Sequence, residues 1–420
     1  MQNIQFNLNN FLLAITETLD FVEMDLLGIT THHSKRVAYI ASKIAQSLNL
    51  SQEEIFDLIA YAVLHDNGLS KNSNLVITDR YEELIFEDKS IMKFQKVFKE
   101  HCIIGEENVK GFPFLTNQKN IIKYHHEFYD GSGIFGIKGD DIPILAQLIA
   151  FSDVIDGLFK LDKTHYQTKD KLREFVKKYT GTLFNKKIVD IFIDLSYHTS
   201  FWLDMQDDKV MVDYLLSVSP SVKFQYSYNK LLSLTKIFTK IIDTKSTFTA
   251  NHSNGLVDKC SIMSDYYNFS KQEKFEMMIA ASLHDLGKLA ISNNILDKNG
   301  KLTDEEMDLM KSHVYYTKKA LSNIEGFEYI SKIAANHHEK LNGSGYPYGL
   351  KEEDLTFKEK LMGCLDIYQA LTEDRPYRDG LGHTKTIEIM KDMVKNGEID
   401  KNITDNLDNI LNPNRNKTSA

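Results

Sequence analysis

The sequence predicts an all-α protein built as two tandem helical domains, and three observations carry that reading. Long stretches are rich in Leu, Ile, Lys and Glu, while 420 residues include only 6 prolines and 21 glycines, a composition that favours helix over strand. Apolar residues recur at helical spacing. A set of seven histidines and aspartates occurs twice in one order. The hydrophobic fraction of 42% supports two or three cores of ordinary size in a chain of this length.

Phe11, Leu12, Ile15 and Leu19 share one face of a first helix, and Val37, Ile40, Ala41, Ile44 and Ala45 share a face of the next. Thr31-His32-His33-Ser34-Lys35-Arg36 lies between them. A third helix, from about Gln52 to Leu64, runs into His65-Asp66. There follow His101, His125-His126-Glu127, the turn Asp130-Gly131-Ser132-Gly133, and Asp153 on an apolar helix beginning near Ile144. Leu172, Phe175, Val176, Ile188, Val189, Phe192 and Ile193 read as two closing helices. Residues from Thr199 to Val222, with Asp207-Asp208-Lys209 and Pro220, read as a joint. The expected domains are therefore 1–220 and 221–412, followed by a frayed polar tail, 413–420.

The second domain repeats the first. His33, His65 and Asp66 recur 219 residues later as His252, His284 and Asp285; His101, His125 and His126 recur after 212 as His313, His337 and His338; Asp153 recurs after 213 as Asp366. Ten of the 14 histidines fall in these two sets, so scattered core or surface histidines explain them poorly. The centre of the second set is Ala281-Ser282-Leu283-His284-Asp285-Leu286-Gly287-Lys288, which closes a helix carrying Phe275, Met278, Ile279, Ser282 and Leu283 at helical spacing.

Five imidazoles and two carboxylates exceed what one tetrahedral ion uses, and they suit two six-coordinate ions sharing a bridging carboxylate and keeping positions for water. Adjacent residues on a helix diverge by about 100°, so each dyad can serve both ions. Nitrogen-rich ligation without thiolate favours iron or manganese, leaves zinc less natural and disfavours magnesium. Two ions are expected in the second domain, and the matching set allows two more in the first.

Cys102, Cys260 and Cys364 are odd in number and far apart, which suggests neither a disulfide framework nor a thiolate zinc knuckle and fits a reducing cytoplasm. The N-terminus lacks the basic region of a signal peptide and no apolar run is long enough to span a bilayer, so neither leader nor membrane is expected. A net charge of −9 argues against a nucleic-acid polymer as partner. A homodimer or a signalling partner stays open.

His284-Asp285-Leu286-Gly287-Lys288, Lys311-Ser312-His313, His337-His338-Glu339 followed by Asn342-Gly343-Ser344-Gly345-Tyr346-Pro347, and Asp366 followed by Arg375-Pro376-Tyr377-Arg378 together resemble the HD-GYP family. The resemblance spans about 240 to 380. It implies two HD-type metal-dependent phosphohydrolase domains and an activity as a phosphodiesterase hydrolysing the bacterial second messenger cyclic di-GMP. Another cyclic dinucleotide, 3',3'-cGAMP, or a non-catalytic metal-bound sensor or adaptor are the alternatives. Position by position, it implies His252, His284, Asp285, His313, His337, His338 and Asp366 as metal ligands, with Asp285 bridging. Lys288 would stand beside the attacking hydroxide and the scissile phosphate, Arg375 and Arg378 would hold phosphate oxygens, and Gly345-Tyr346-Pro347 would form the loop under the nucleotide.

Asn342, Thr317 and Gln369 depart from the family's usual Asp, Gly and Asp, and Phe248 stands where members with a third metal carry Glu. Two ions and a product stopping at the linear dinucleotide follow from that. The first domain resembles the family more weakly: it keeps His33, His65, Asp66, His101, His125, His126 and Asp153 but has Leu69 for Lys288, Ile134-Phe135 for Tyr346-Pro347, and Asp162-Lys163-Thr164-His165 in the arginine region. It is expected to bind metal without turnover, as a regulatory or dimerisation unit. Glu127 and Glu339 are read either as partners of the histidines or as surface acids, Asp243 as a possible orienter of His252, and His32, His165, His198 and His383 as surface residues.

Overall fold

The computed structural model describes residues 3–27, 31–69, 91–163, 165–219, 223–245, 252–374 and 379–413. They form two compact units, Asn7–Phe224, and Gln225–Ala420 with Met1–Phe6. The second bounds differ from 221–412 because the strand Asn3–Asn7 pairs with the strand Lys223–Ser227 in a two-stranded sheet. Apart from that ribbon, the named elements are helices, as expected for an all-α protein.

In the N-terminal unit the helices Leu8–Leu27, His33–Ser47, Gln52–Val63 and Ile144–Phe159 pack on one another. The predicted apolar faces are buried: Phe11, Leu12, Ile15, Val37, Ile40, Ala41, Ile44 and Ala45 have no exposed surface. The expected joint is instead two more helices, Thr199–Asp204 and Asp208–Val218. Trp202 is buried with its indole N–H donating to Ser196 O at 2.8 Å, and Tyr39 donates to Asp204 at 2.7 Å. Asp207-Asp208-Lys209 and Pro220 read as linker by composition, but Trp202 fixes the segment to the end of helix Lys186–Ser196, and Phe201, Asp204 and Tyr214 fix it to Tyr39 of the His33–Ser47 helix.

In the C-terminal unit, helix Lys271–Leu283 packs against Tyr228–Lys245, His252–Tyr266 and Glu328–Ala335. Being covered on three sides, its last turn is buried all round from Ile279 to Leu283, while Phe275 and Met278 are only half-buried. Its start is fixed by a capping box, Ser270 with Glu273, and Ser51 with Glu54 caps the equivalent helix of the first unit in the same way. Thr303 with Glu306 and Thr356 with Glu359 start the helices Asp304–Ser322 and Phe357–Thr372. These caps set the register that carries His313 and Asp366 inward.

Candidate metal centre

Each residue of the C-terminal set comes from a different position in this scaffold. His252 opens helix His252–Tyr266, His284 and Asp285 follow helix Lys271–Leu283, His313 lies within Asp304–Ser322, His337 and His338 follow Glu328–Ala335, and Asp366 lies within Phe357–Thr372. The tight turn Leu286–Ala290 rests on the His313 helix through Gly287, where a Cβ would stand 1.9 Å from His313 O. Only glycine allows that approach. Thr317 then ties the two elements, accepting from Gly287 N at 2.9 Å and donating to His284 O at 3.0 Å.

All seven side chains converge. Three overlapping groups, His252/His284/Asp366, His284/Asp285/His337 and His313/His337/His338, each bring their ligand atoms within 4.8 Å of one another. Asp285 spans the centre, with Oδ2 3.2 Å from His284 Nε2 and Oδ1 3.4 Å from His313 Nε2. Asp366 Oδ1 lies 3.0 Å from His252 Nε2 and 3.7 Å from His284 Nε2, and Oδ2 lies 3.9 Å from His338 Nδ1. The outward ring nitrogens are held by backbone carbonyls: His284 by Ala281 at 2.8 Å, His313 by Met310 at 2.7 Å and His337 by Ala334 at 2.6 Å. Such bonds fix the tautomer and aim each Nε2 inward.

Buried Asp285 Oδ1, His313 Nε2 and His337 Nε2 have no hydrogen-bond partner. Buried polar atoms are normally satisfied, so inward lone pairs on imidazole and carboxylate fit divalent cations. Electrostatics agree. Burial pushes His313 down to about 3 and lowers His337 and His338, keeping these rings neutral and able to ligate. Burial would raise Asp285 and Asp366, but the neighbouring imidazoles, with Lys288 beside Asp285, outweigh it and keep both ionised. Burial also opposes charge on His252, yet its bonds to Asp366 and Glu373 win and push it up to about 9.

The predicted substrate residues divide. Lys288 Nζ donates to Asp285 Oδ2 at 2.6 Å, and Tyr346 places its ring 4.8 Å from that of His338. Both line a cavity of about 800 Å³ with the metal-centre residues. Gly345 serves the loop's own path: its Cβ would lie 2.4 Å from Lys340 N, so a glycine there lets the loop carrying Pro347 fold back on Glu339. Arg375 and Arg378 lie outside the described residues, as do Phe248 and the side chain of Asp243.

Several side chains behave differently from the sequence reading. Glu339 is neither a histidine partner nor a surface acid; it is buried and accepts from Tyr348 N at 2.8 Å and Leu350 N at 2.9 Å, stapling the glycine loop. Glu127 does the same for Phe135 N and Ile137 N, at 2.6 and 2.7 Å. His383 is half-buried between the Tyr368 hydroxyl, 2.8 Å away, and Asp408. The group holding His252 Nδ1 is Glu373, at 2.8 Å, and no periodicity pointed to it. The cavity is also walled by Ile295, Leu296, Lys298, Lys301 and Leu302, a segment without histidine and outside the repeated set, so no motif marked it.

The N-terminal set converges too. His33 Nε2 lies 3.2 Å from Asp153 Oδ1, His65 Nε2 3.6 Å from Asp66 Oδ2, and Asp66 Oδ1 stands 3.3 Å from His101 Nε2 and 3.5 Å from His125 Nε2. His126 Nδ1 is 3.9 Å from Asp153 Oδ2. His33 Nδ1 is held by Asp156 at 2.6 Å, and Asp156 is bound through both oxygens by Arg36, at 2.7 and 2.9 Å. Leu69, standing where the second unit has Lys288, is buried.

Comparisons with known proteins agree with this architecture. The HD domain family matches residues 236–403 in one form and 30–158 in another. The chain is similar to 3'3'-cGAMP-specific phosphodiesterase 1 of Vibrio cholerae, 26% identical over 96% of this chain and 92% of that protein. Against phosphodiesterase 3 of the same organism it is 27% identical over 92% and 91%. A cyclic di-GMP phosphodiesterase of Pseudomonas aeruginosa is 30% identical over 42% of this chain and 41% of its own. The crystal structure of a V. cholerae cyclic GMP-AMP specific phosphodiesterase superposes with a TM-score of 0.67 at 23% identity, covering 96% of this chain and 97% of that one, and so shares the fold. The chain therefore belongs to the HD-domain family, as two HD domains in tandem.

Proposed function

We propose that the chain is a metal-dependent cyclic dinucleotide phosphodiesterase acting through its C-terminal unit, with 3',3'-cGAMP as the preferred ring. The observation that carries the activity is that six of the seven converging ligand-type side chains, all but His284, line one cavity of about 800 Å³ together with Lys288, a size suited to a small-molecule substrate. Similarity to 3'3'-cGAMP-specific phosphodiesterases 1 and 3 extends over both units, whereas the cyclic di-GMP phosphodiesterase of P. aeruginosa matches 42% of the chain. That contrast moves the reading from cyclic di-GMP to the mixed ring.

His252, His284, His313, His337, His338, Asp285 and Asp366 would hold two divalent ions, with iron or manganese favoured by nitrogen and carboxylate donors. When bound, the ions supply an activated water and stabilise charge developing at phosphorus. The chain's own groups do the rest. Lys288, Lys298 and Lys301 line the cavity and present positive charge to a diester ring. Lys288 Nζ, now on Asp285, is placed to donate to a phosphate oxygen, and the Tyr346 ring offers a face for a base. Arg375 and Arg378 are proposed to clamp phosphate oxygens, with cleavage stopping at the linear dinucleotide.

Purified full-length protein, stripped with chelator and reloaded with Mn(II) or Fe(II), should convert 3',3'-cGAMP to its linear form faster than cyclic di-GMP, as followed by chromatography. Faster turnover of cyclic di-GMP would reassign the substrate. No linear product from either ring under either metal would overturn the enzyme reading.

A further inference from the structure

The N-terminal unit carries a donor that its C-terminal copy lacks. Cys102 occupies the position of Val314, one residue beyond the repeated histidine in each unit. Its side chain has no exposed surface, and Sγ lies 3.8 Å from His101 Nε2 and 3.8 Å from His125 Nδ1. His101, Cys102, His125 and His126 form a group whose ligand atoms all fall within 4.8 Å of one another, apart from the His33/His65/Asp153 group. His126 Nε2 and His101 Nδ1 are buried without a hydrogen-bond partner. Cys260 and Cys364 are equally buried but join no such group among the described residues.

The spacings suit a tetrahedral ion. With bonds of about 2.05 Å to nitrogen and 2.3 Å to sulfur, donors around zinc sit roughly 3.3 Å apart for two nitrogens and 3.5 Å for nitrogen and sulfur. His125 Nδ1 is held by Ile122 O at 2.5 Å, which leaves Nε2 as its donor; that atom is 3.4 Å from His101 Nε2, and Cys102 Sγ is 3.8 Å from His101 Nε2, a few tenths of an ångström beyond the ideal. Charge suits it too: a thiolate together with the Asp66 carboxylate, 3.3 Å from His101 Nε2, neutralises a dication in a site where bare charge is costly.

We propose that the N-terminal unit holds a thiophilic ion, zinc in particular, through His101, Cys102, His125 and His126. Cys102 binds as thiolate and its proton leaves to solvent. A four-donor set with sulfur leaves no open position for water, which is the pattern of a structural ion. The tandem copies therefore sort metals, with the sulfur-containing site taking zinc and the nitrogen-carboxylate site remaining available for iron or manganese. This does not depend on the substrate proposed above.

Metal spectroscopy on the full chain tests this. Stripped protein reloaded anaerobically with Co(II) should show a near-ultraviolet sulfur-to-cobalt charge-transfer band. Cys102→Val, which installs the residue of the C-terminal copy, should lose that band; Cys102→Ala serves if the valine variant misfolds by circular dichroism. After exposure to mixed zinc and manganese, the wild type should retain about one more zinc per chain than the variant. A wild-type protein without the band, a band surviving substitution of Cys102, or equal zinc content in both proteins would overturn the proposal.

Discussion

The two HD domains keep the same seven ligand-type residues and much of what supports them, but they hold the first histidine differently. In the N-terminal unit His33 is held by Asp156, one turn beyond Asp153, and Arg36 holds Asp156. In the C-terminal unit the position of Asp156 is Gln369, which accepts from Lys259 at 2.5 Å, and the carboxylate for His252 comes from Glu373, one turn further on. The position of Arg36 is Gly255, where a Cβ would lie 2.5 Å from the Gln369 side chain. The changes form a set: removing the guanidinium makes room for a longer side chain, and the orienting acid moves four residues on, to the C-cap of the Asp366 helix. The ligand-type side chains can thus converge alike while the acid that holds one of them is replaced. Moving the acid to Glu373 also places it two residues before Arg375 in the sequence.

The strongest way to break the comparison is to remove the central carboxylate from each unit. Asp285→Ala should reduce cyclic dinucleotide turnover by about 10³-fold or more, whereas Asp66→Ala should change metal content and leave turnover standing. Parallel elemental analysis and rate measurements check this, and loss of turnover in a folded Asp66 variant would make the first unit part of the catalytic apparatus. Next in size is Lys288→Leu, which copies Leu69 into the second unit. It should lower kcat by roughly 10²- to 10³-fold with metal content unchanged, as read from steady-state kinetics on metal-loaded protein.

Glu373→Gln tests the relocated acid. The amide cannot supply the charge that holds the His252 ring, so metal affinity should fall by about 10- to 100-fold, with kcat recovering at saturating metal; metal titration followed by activity separates the two. Recovery failing at high metal would mean that Glu373 acts on the phosphate segment more than on His252. The smallest effect belongs to Thr317→Ala. It leaves buried Gly287 N–H without its acceptor and should cost about 1–3 kcal/mol, seen as a lower urea midpoint of the full chain. The equivalent position in the first unit is Gly105, so no matching change is available there.

Much of this was legible in the chain. The repeat in register announced two copies and named the seven His and Asp side chains that converge in each, because the order of such residues along a duplicated fold cannot drift far. Core faces such as Phe11-Leu12-Ile15 followed from helical spacing alone. The start of the third helix near Gln52 was legible too, and the structure begins it there. Less legible were residues whose work depends on a neighbour distant in sequence. Trp202 looked like part of a linker, Glu339 like a candidate for either of two other roles, and Cys102 like an unpaired thiol, because nothing local tells a buried acid or sulfur what it will face.

The sequence by itself determined the helical class, the duplication and the identity of the converging imidazoles and carboxylates, since periodicity and donor chemistry are properties of residues in order. Tertiary structure alone decided which acid steadies each first histidine, that Gly287 lets a turn touch His313, and that a sulfur stands against the N-terminal imidazoles. Those are contacts between segments tens to more than a hundred residues apart. They are set by packing, which a linear pattern does not encode.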